Sequence, residues 1–378
     1  MKLGYFKTVG SSLIFLSLAS WVAASSILAA DPAVLQAKKE AEAKGYIFYT
    51  THDEIVAMAK KEGRLKVMTG LKPSSYKPLI DEFKKRYPFI TDIHVEEVAG
   101  ITASQRVLLE IKAGQAKGWD LTNILRDLGA EYPPYLKKHD ILGMGKHGVL
   151  KIHPGMVDPR ERNIAGVTSS LRLVPYNRKL ISEDKVPAKW EDFLKPEFKG
   201  RKFILDVRPV QIAGLVPAWG LERTLDFARK LAAQQPVWGL GATRMNNALL
   251  AGERSLYLGS SYNSIERAMG KDLTGSLGYK IIEPIPIINA DVATGILNTA
   301  DHPHAALLWL EFLASPEGQQ IIDKYEPFEA SVFTPGSVTE QMTRGKKLSV
   351  VDWDHFTKYG DYLAKITEAY GFPKGEIK

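Results

Sequence analysis

Oxygen and guanidinium groups, rather than thiols or clustered imidazoles, carry what chemistry this chain has to offer. Ser260, Ser261 and Tyr262 place three hydroxyls in a row after an apolar triplet, Leu256-Tyr257-Leu258, and before a helical pattern through Ile265-Glu266-Arg267. Such a row can hold an oxyanion, or Tyr262 can ligate a hard cation as a phenolate. It can equally cap the helix that follows. Arg208 comes just after the strand-like Lys202–Asp206 and can grip a carboxylate or phosphate with two hydrogen bonds, or pair with Asp206. Arg126 and Arg244 are weaker candidates of the same kind. Trp219, Trp238 and Tyr176 offer stacking surfaces, although large aromatics more often fill a core.

Catalytic patterns are missing. Gly259-Ser260-Ser261-Tyr262-Asn263 has asparagine where a nucleophile elbow needs its second glycine, and Gly275-Ser276-Leu277-Gly278 is one residue short. There is no phosphate-binding loop and no dinucleotide fingerprint. Among eight histidines only His302 and His304 are close, and the simpler reading is a helix-start turn at Ala300-Asp301-His302-Pro303 capped by Asp301. With no cysteine, thiolate catalysis, disulfides and cysteine-ligated metals are excluded. No cofactor is expected, no enzyme activity, and no metal unless Tyr262 serves a ferric ion.

The elements that would position these groups alternate. Residues 32–62 read as two helices, stopped by Gly45 and Gly63. From 64 to 126 the pattern is β-α-β-α-β, with strands at Leu65–Met68, Ile93–Val95 and Leu121–Leu125 and helices from Ser74 and over Gln105–Ala113. This predicts a mostly parallel sheet flanked by helices. Ligands on such sheets bind beyond the carboxyl ends of the strands, which selects Thr69, Thr102, Ser104 and Asn123. A second alternating region has strands at Leu171–Tyr176, Lys202–Asp206, Leu256–Leu258 and Tyr279–Ile282. Pro284 and Pro286 interrupt it, a strand near Ala293–Leu297 and a helix Pro303–Leu313 follow, and a last helix spans Trp353–Ala369.

The amino terminus reads as an export signal. Lys2 and Lys7 precede an uncharged stretch from Ser11 to Ala30 with an apolar centre and small residues at its end. Cleavage is expected between Ser25 and Ala30, with a periplasmic product. Removing Lys2 and Lys7 takes the formal charge from +7 to +5. Basic and acidic residues are mixed, with no basic stripe interleaved with aromatics, so nucleic acid is not an expected partner. The length implies two lobes: residues 31–170 in the first, 171–290 in the second, and 291–378 returning to the first with C-terminal helices.

Three runs carry a family resemblance. They are Leu171-Arg172-Leu173-Val174-Pro175-Tyr176-Asn177 with Pro187–Leu194 and Pro196–Arg201, then Pro303-His304-Ala305-Ala306 with Phe312-Leu313-Ala314-Ser315-Pro316-Glu317-Gly318-Gln319, and Gly63–Val67 opening the first strand. Together they resemble bacterial extracellular solute-binding proteins of ABC importers, in the ferric-ion-binding-like branch of type II periplasmic binding proteins. The resemblance implies two α/β lobes hinged by crossing strands that close on a small-molecule or ion ligand and deliver it to an inner-membrane permease. A monomer is expected. Ferric members of that branch use adjacent tyrosines after the strand matched here by Leu256–Leu258, where only Tyr262 corresponds. Their histidine after the first strand is absent from Thr69–Pro73, and Gly100–Ser104 has no acid. The expected ligand is therefore organic or oxyanionic, with ferric ion as the alternative. The expected site is Thr69, Thr102, Ser104, Asn123, Tyr176, Arg208, Ser260, Ser261 and Tyr262. A ligand sensor or a secreted enzyme is the further alternative.

Overall fold

The computed structural model describes residue 1 and residues 31–372 apart from 291, 327, 328 and 357. The expected signal segment lies outside the described residues. Strands follow in chain order: β1 (Arg64–Thr69), β2 (Asp92–Glu97), β3 (Leu121–Ile124), β4 (Ile164–Gly166), β5 (Ser169–Asn177), β6 (Ile204–Asp206), β7 (Val237–Gly239), β8 (Ser260–Ser261), β9 (Leu277–Lys280), β10 (Ile285–Asn289), β11 (Ala293–Ile296) and β12 (Leu348–Val351).

The first lobe is built on the sheet β2-β1-β3-β11-β4, in which β1, β2 and β3 are parallel and β11 runs antiparallel to β3 and β4. The helix Pro73–Arg86 buries Ser75, Leu79 and Phe83, one position every turn. The helix Pro303–Ala314 is apolar on every side and is buried along almost its whole length. Its start differs from the expected cap: Asp120, not Asp301, accepts the His302 N–H at 2.8 Å and also the Lys66 N–H at 2.8 Å. A buried carboxylate thus ties the helix start to β1, which an exposed neighbouring aspartate would not do.

The second lobe holds the mixed sheet β12-β10-β5-β8, with β9 on the far half of β5 and the parallel pair β6-β7 beside it. Pro286 lies inside β10 rather than breaking it. Ile285 N–H bonds toward β12, at Lys347 O, so the nitrogen of Pro286 faces the β5 side, and pairing with β5 starts only at Ile287. The tail also differs from expectation. The helices Pro303–Ala314 and Pro316–Tyr325 cover the first lobe, but β12 pairs with β10 and the helix Tyr359–Ala369 packs on Leu221–Ala233. Tyr359, Leu363 and Ile366 share an apolar cluster with Phe227 and Leu231, and that burial draws the tail to the second lobe.

Besides the passage from the helix Pro316–Tyr325 to β12, two strand connections cross between lobes, β4 to β5 and β10 to β11. They are bonded side by side: Thr168 Oγ1 accepts the Val292 N–H at 2.7 Å, and Ser169 Oγ donates to Asn289 Oδ1 at 3.1 Å. Ala290 has φ of 53° and packs against Gly166, where a Cβ would stand 2.2 Å from the Ala290 methyl. The Ser-Pro-Glu-Gly-Gln run braces this crossing. Ser315 caps the helix Pro316–Tyr325, and Gly318 leaves room for the Phe312 carbonyl, which a Cβ would approach to 2.2 Å. Gln319 is buried. Its amide donates to Val167 O at 2.9 Å and Leu313 O at 2.7 Å, and its oxygen accepts from Ser331 N–H at 2.8 Å and Thr334 Oγ1 at 3.0 Å.

Candidate functional site

The chain leaves the carboxyl end of β3 through Leu125, Arg126 and Asp127, and leaves β6 through Val207 and Arg208 on the opposite lobe. These ends face each other. Arg208 Nη2 reaches Asp127 Oδ2 at 2.7 Å, an ion pair that spans the two lobes. Arg208 N–H also donates to Asp206 Oδ1 at 2.9 Å, so the loop after β6 folds back on its own carboxylate.

Arg126 is buried on a bed of aromatics, 4.8 Å from the Tyr359 ring centre and 5.9 Å from that of Phe356. Its Nη2 donates to Ala290 O at 3.3 Å, in the crossing segment. Arg172 stands on β5, directly opposite Ser261 on β8. The three arginines converge on a cavity of about 330 Å³ that is lined from both lobes, with Gly100, Leu125 and Asp127 on one side and Asp206, Val210, Gln211 and Leu240–Ala242 on the other. Two helices, Gly100–Lys112 and Ala242–Leu250, begin at its edge without a side-chain cap. Their first N–H groups add to the positive potential of the arginines.

Among the described residues the lining brings three guanidinium groups together with the carboxylates of Asp127 and Asp206. Burial pushes the Asp206 carboxyl up, and the Arg208 N–H, the charges of Arg208 and Arg172, and the Tyr257 hydroxyl only partly offset this. Burial raises the Tyr359 phenol to about 12 against the pull of all three arginines. Chemically, the cavity can hold an anion between cations fixed to separate lobes.

Of the nine residues expected at the site, Arg208 lines this cavity and the other eight do not. Thr69 Oγ1 accepts the Leu71 N–H at 3.2 Å and closes the turn after β1. Asn123 Nδ2 donates to Val98 O at 2.8 Å and links β3 to the loop ahead of Gly100. Thr102 is exposed in the first turn of its helix, and Ser104 is buried in the second, because that helix starts at Gly100 rather than at Ser104. Ser260 accepts from Asn246 Nδ2 at 3.1 Å, and Ser261 caps the following helix. Tyr176 lies in the core of the second lobe, as do Trp219 and Trp238 at its edge. Tyr262 is also a core residue, packed edge-on against Tyr279 with the hydroxyls 3.3 Å apart. Burial, reinforced by Tyr279 and Glu266, pushes its phenol up and disfavours the phenolate a ferric ligand needs. The helix start near Ser74 is likewise filled from within: Glu326 accepts the Lys72 N–H and, at 3.0 Å, the Ser75 hydroxyl. Arg244 lines a separate recess on the second lobe with Trp238 and Arg254.

Arg172, Asp127 and Asp206 were not selected by sequence. Arg172 had a signal, a single charge inside the apolar run Leu171–Tyr176. Among the described residues no cluster of three or more histidine, aspartate or glutamate side chains could hold a metal ion, and no helix is long and apolar enough to cross a membrane.

Residues 146–359 match the model of a family described as bacterial extracellular solute-binding protein. No curated protein matches the chain. Solved structures with the same fold include the apo ferric ion-binding protein A of Pasteurella haemolytica, at 16% identity and a TM-score of 0.63 over 83% of this chain and 99% of that one. The ferric binding protein of Campylobacter jejuni gives 16% and 0.63 over 82% and 99%. The substrate binding protein of an ABC transporter from Agrobacterium tumefaciens gives 15% and 0.61 over 81% and 95%. At these identities the likeness establishes a two-lobed fold.

Proposed function

The chain belongs to the bacterial extracellular solute-binding proteins, and from that premise we propose that it captures a small organic or oxyanionic solute between its lobes. The role is capture and delivery to the inner-membrane permease of an ABC importer, with export to the periplasm by the cleaved N-terminal segment and no catalytic step. The observation that carries the ligand reading is the convergence of Arg126, Arg172 and Arg208, held on different elements of both lobes, on one cavity. Contacts made to both lobes stabilise the closed arrangement over the open one by the difference in their strength.

Ferric ion is the second reading, favoured by solved neighbours that are ferric-ion-binding proteins. The buried, raised phenol of Tyr262 speaks against it. A thermal-shift panel of carboxylates, phosphonates, amines, thiamine and ferric salts separates the two. At a concentration of 100 Kd a bound solute adds about 2.7 kcal/mol, so an anion should raise the melting temperature by several degrees. A shift with ferric ion alone would overturn the organic or oxyanionic reading.

A further inference from the structure

An ion pair between the lobes already stands where a solute would sit. Arg208 Nη2 of the second lobe meets Asp127 Oδ2 of the first at 2.7 Å, and both residues line the inter-lobe cavity. Each is set by its own lobe. Asp127 lies in the short helical turn Arg126–Glu131 that follows β3, and the Arg208 backbone is folded onto Asp206. Neither side chain makes another ion pair among the described residues, and the Asp127 side chain is only 18% exposed, so its charge depends on this partner. An anion that takes Arg208 away breaks the contact between lobes. It also leaves a partly desolvated carboxylate beside the ligand's own negative charge. A cation that takes Asp127 does the converse to Arg208. A ligand carrying both charges replaces one direct pair by two, and the lobes stay linked through it. Closure is favoured by ligand contacts made to both lobes at once.

Resting on the solute-capture reading above, we propose that the solute is a small organic zwitterion whose anionic group binds Arg208 on one lobe and whose cationic group binds Asp127 on the other. In the unliganded protein the two side chains satisfy each other, and the solute enters between them. Asp206 also lines the cavity, but it belongs to the same lobe as Arg208, and its Oδ1 already accepts the Arg208 N–H at 2.9 Å. A cation held there would not join the lobes. The cavity volume, about 330 Å³, lies at the small end of the roughly 300–1,000 Å³ typical of ligand sites, which suits a short amino acid.

Isothermal titration of the purified protein at neutral pH with glycine, β-alanine, 4-aminobutyrate, pentanoate, butylamine, inorganic phosphate and ferric ion tests this. Pentanoate and butylamine are 4-aminobutyrate with a methyl group in place of its ammonium and of its carboxylate. The best of the three amino acids should bind roughly tenfold more tightly than pentanoate, butylamine or phosphate. Asp127→Asn should weaken that amino acid by about tenfold, whereas Asp127→Glu, which keeps the charge, should stay within about threefold. Equal losses in the two variants would show that shape rather than charge matters at 127 and would overturn the assignment. Pentanoate, butylamine or phosphate binding as tightly as the amino acids would overturn the zwitterion class and leave solute capture standing. Ferric ion binding with no anion bound would overturn the organic or oxyanionic reading as well. Binding of none of the seven would also overturn the class.

Discussion

His139 occupies a buried place in the first lobe, with the Tyr49 ring 5.9 Å and the His304 ring 6.5 Å away. Burial, with His304 and Lys137 adding to it, lowers its pKa from 6.5 to about 3. The folded protein therefore keeps this imidazole neutral where the unfolded chain would protonate it. Stability from this source is complete above pH 6.5 and is lost as pH falls toward 3, with a slope of about 1.4 kcal/mol per pH unit. In urea unfolding, the loss between pH 7 and pH 5 should be smaller by about 1–2 kcal/mol in His139→Gln than in the parent protein. Parallel losses would show that His139 is not the group responsible. The same scale explains what was legible at the site. Arg208 was readable because it directly follows a strand end. Ser260 and Ser261 form β8 itself and Tyr262 opens the helix after it, and their side chains are taken up by Asn246, Ser264 and Tyr279. A hydroxyl's rank by sequence position says nothing about which internal partner has already engaged it. Asp127 acquires its partner Arg208 only when the lobes are brought together, which no local pattern encodes.

At the scale of elements, the alternation of strand and helix from 64 to 126 was legible because each helix buries one stripe and each strand ends at a turn. Strand β12 was not, since Leu348-Ser349-Val350-Val351 is short and finds its place only by pairing with β10. The expected single helix over Trp353–Ala369 is two, Trp353–Phe356 and Tyr359–Ala369. The brace at the crossing makes a testable claim. Gln319→Leu keeps the volume but strands the Val167 and Leu313 carbonyls and the Ser331 N–H. Each buried group left without its partner costs roughly 1–3 kcal/mol. Thermal unfolding should show a drop well beyond that of Glu317→Gln, a control on the same helix. A variant as stable as the control would refute the bracing role.

The whole molecule joins its lobes by three passages of the chain, two of them bonded side by side, and, across the cleft, by the Arg208–Asp127 pair. Two lobes were foreseeable from length and from the two alternating regions. The assignment of the tail was not, because its apolar stripe suits either lobe and only packing against Phe227 and Leu231 decides. If capture works by closure, small-angle X-ray scattering should show the radius of gyration fall when a saturating ligand is added. Arg126→Ala should abolish that fall at the same ligand concentration, since one arm of the clamp is lost. An unchanged radius in the parent protein with ligand demonstrably bound would rule out closure.

Gln319 has all four of its amide hydrogen bonds made inside the protein, two of them donated and two accepted. None is left to face a solute. The most recognisable stretch of the chain, Ser315 to Gln319, is thus the mounting of the fulcrum and has no view of the cargo. Sequences sharing that stretch would share this mounting, and on the proposed reading what they carry is set elsewhere, by scattered side chains such as Arg126 and Arg172.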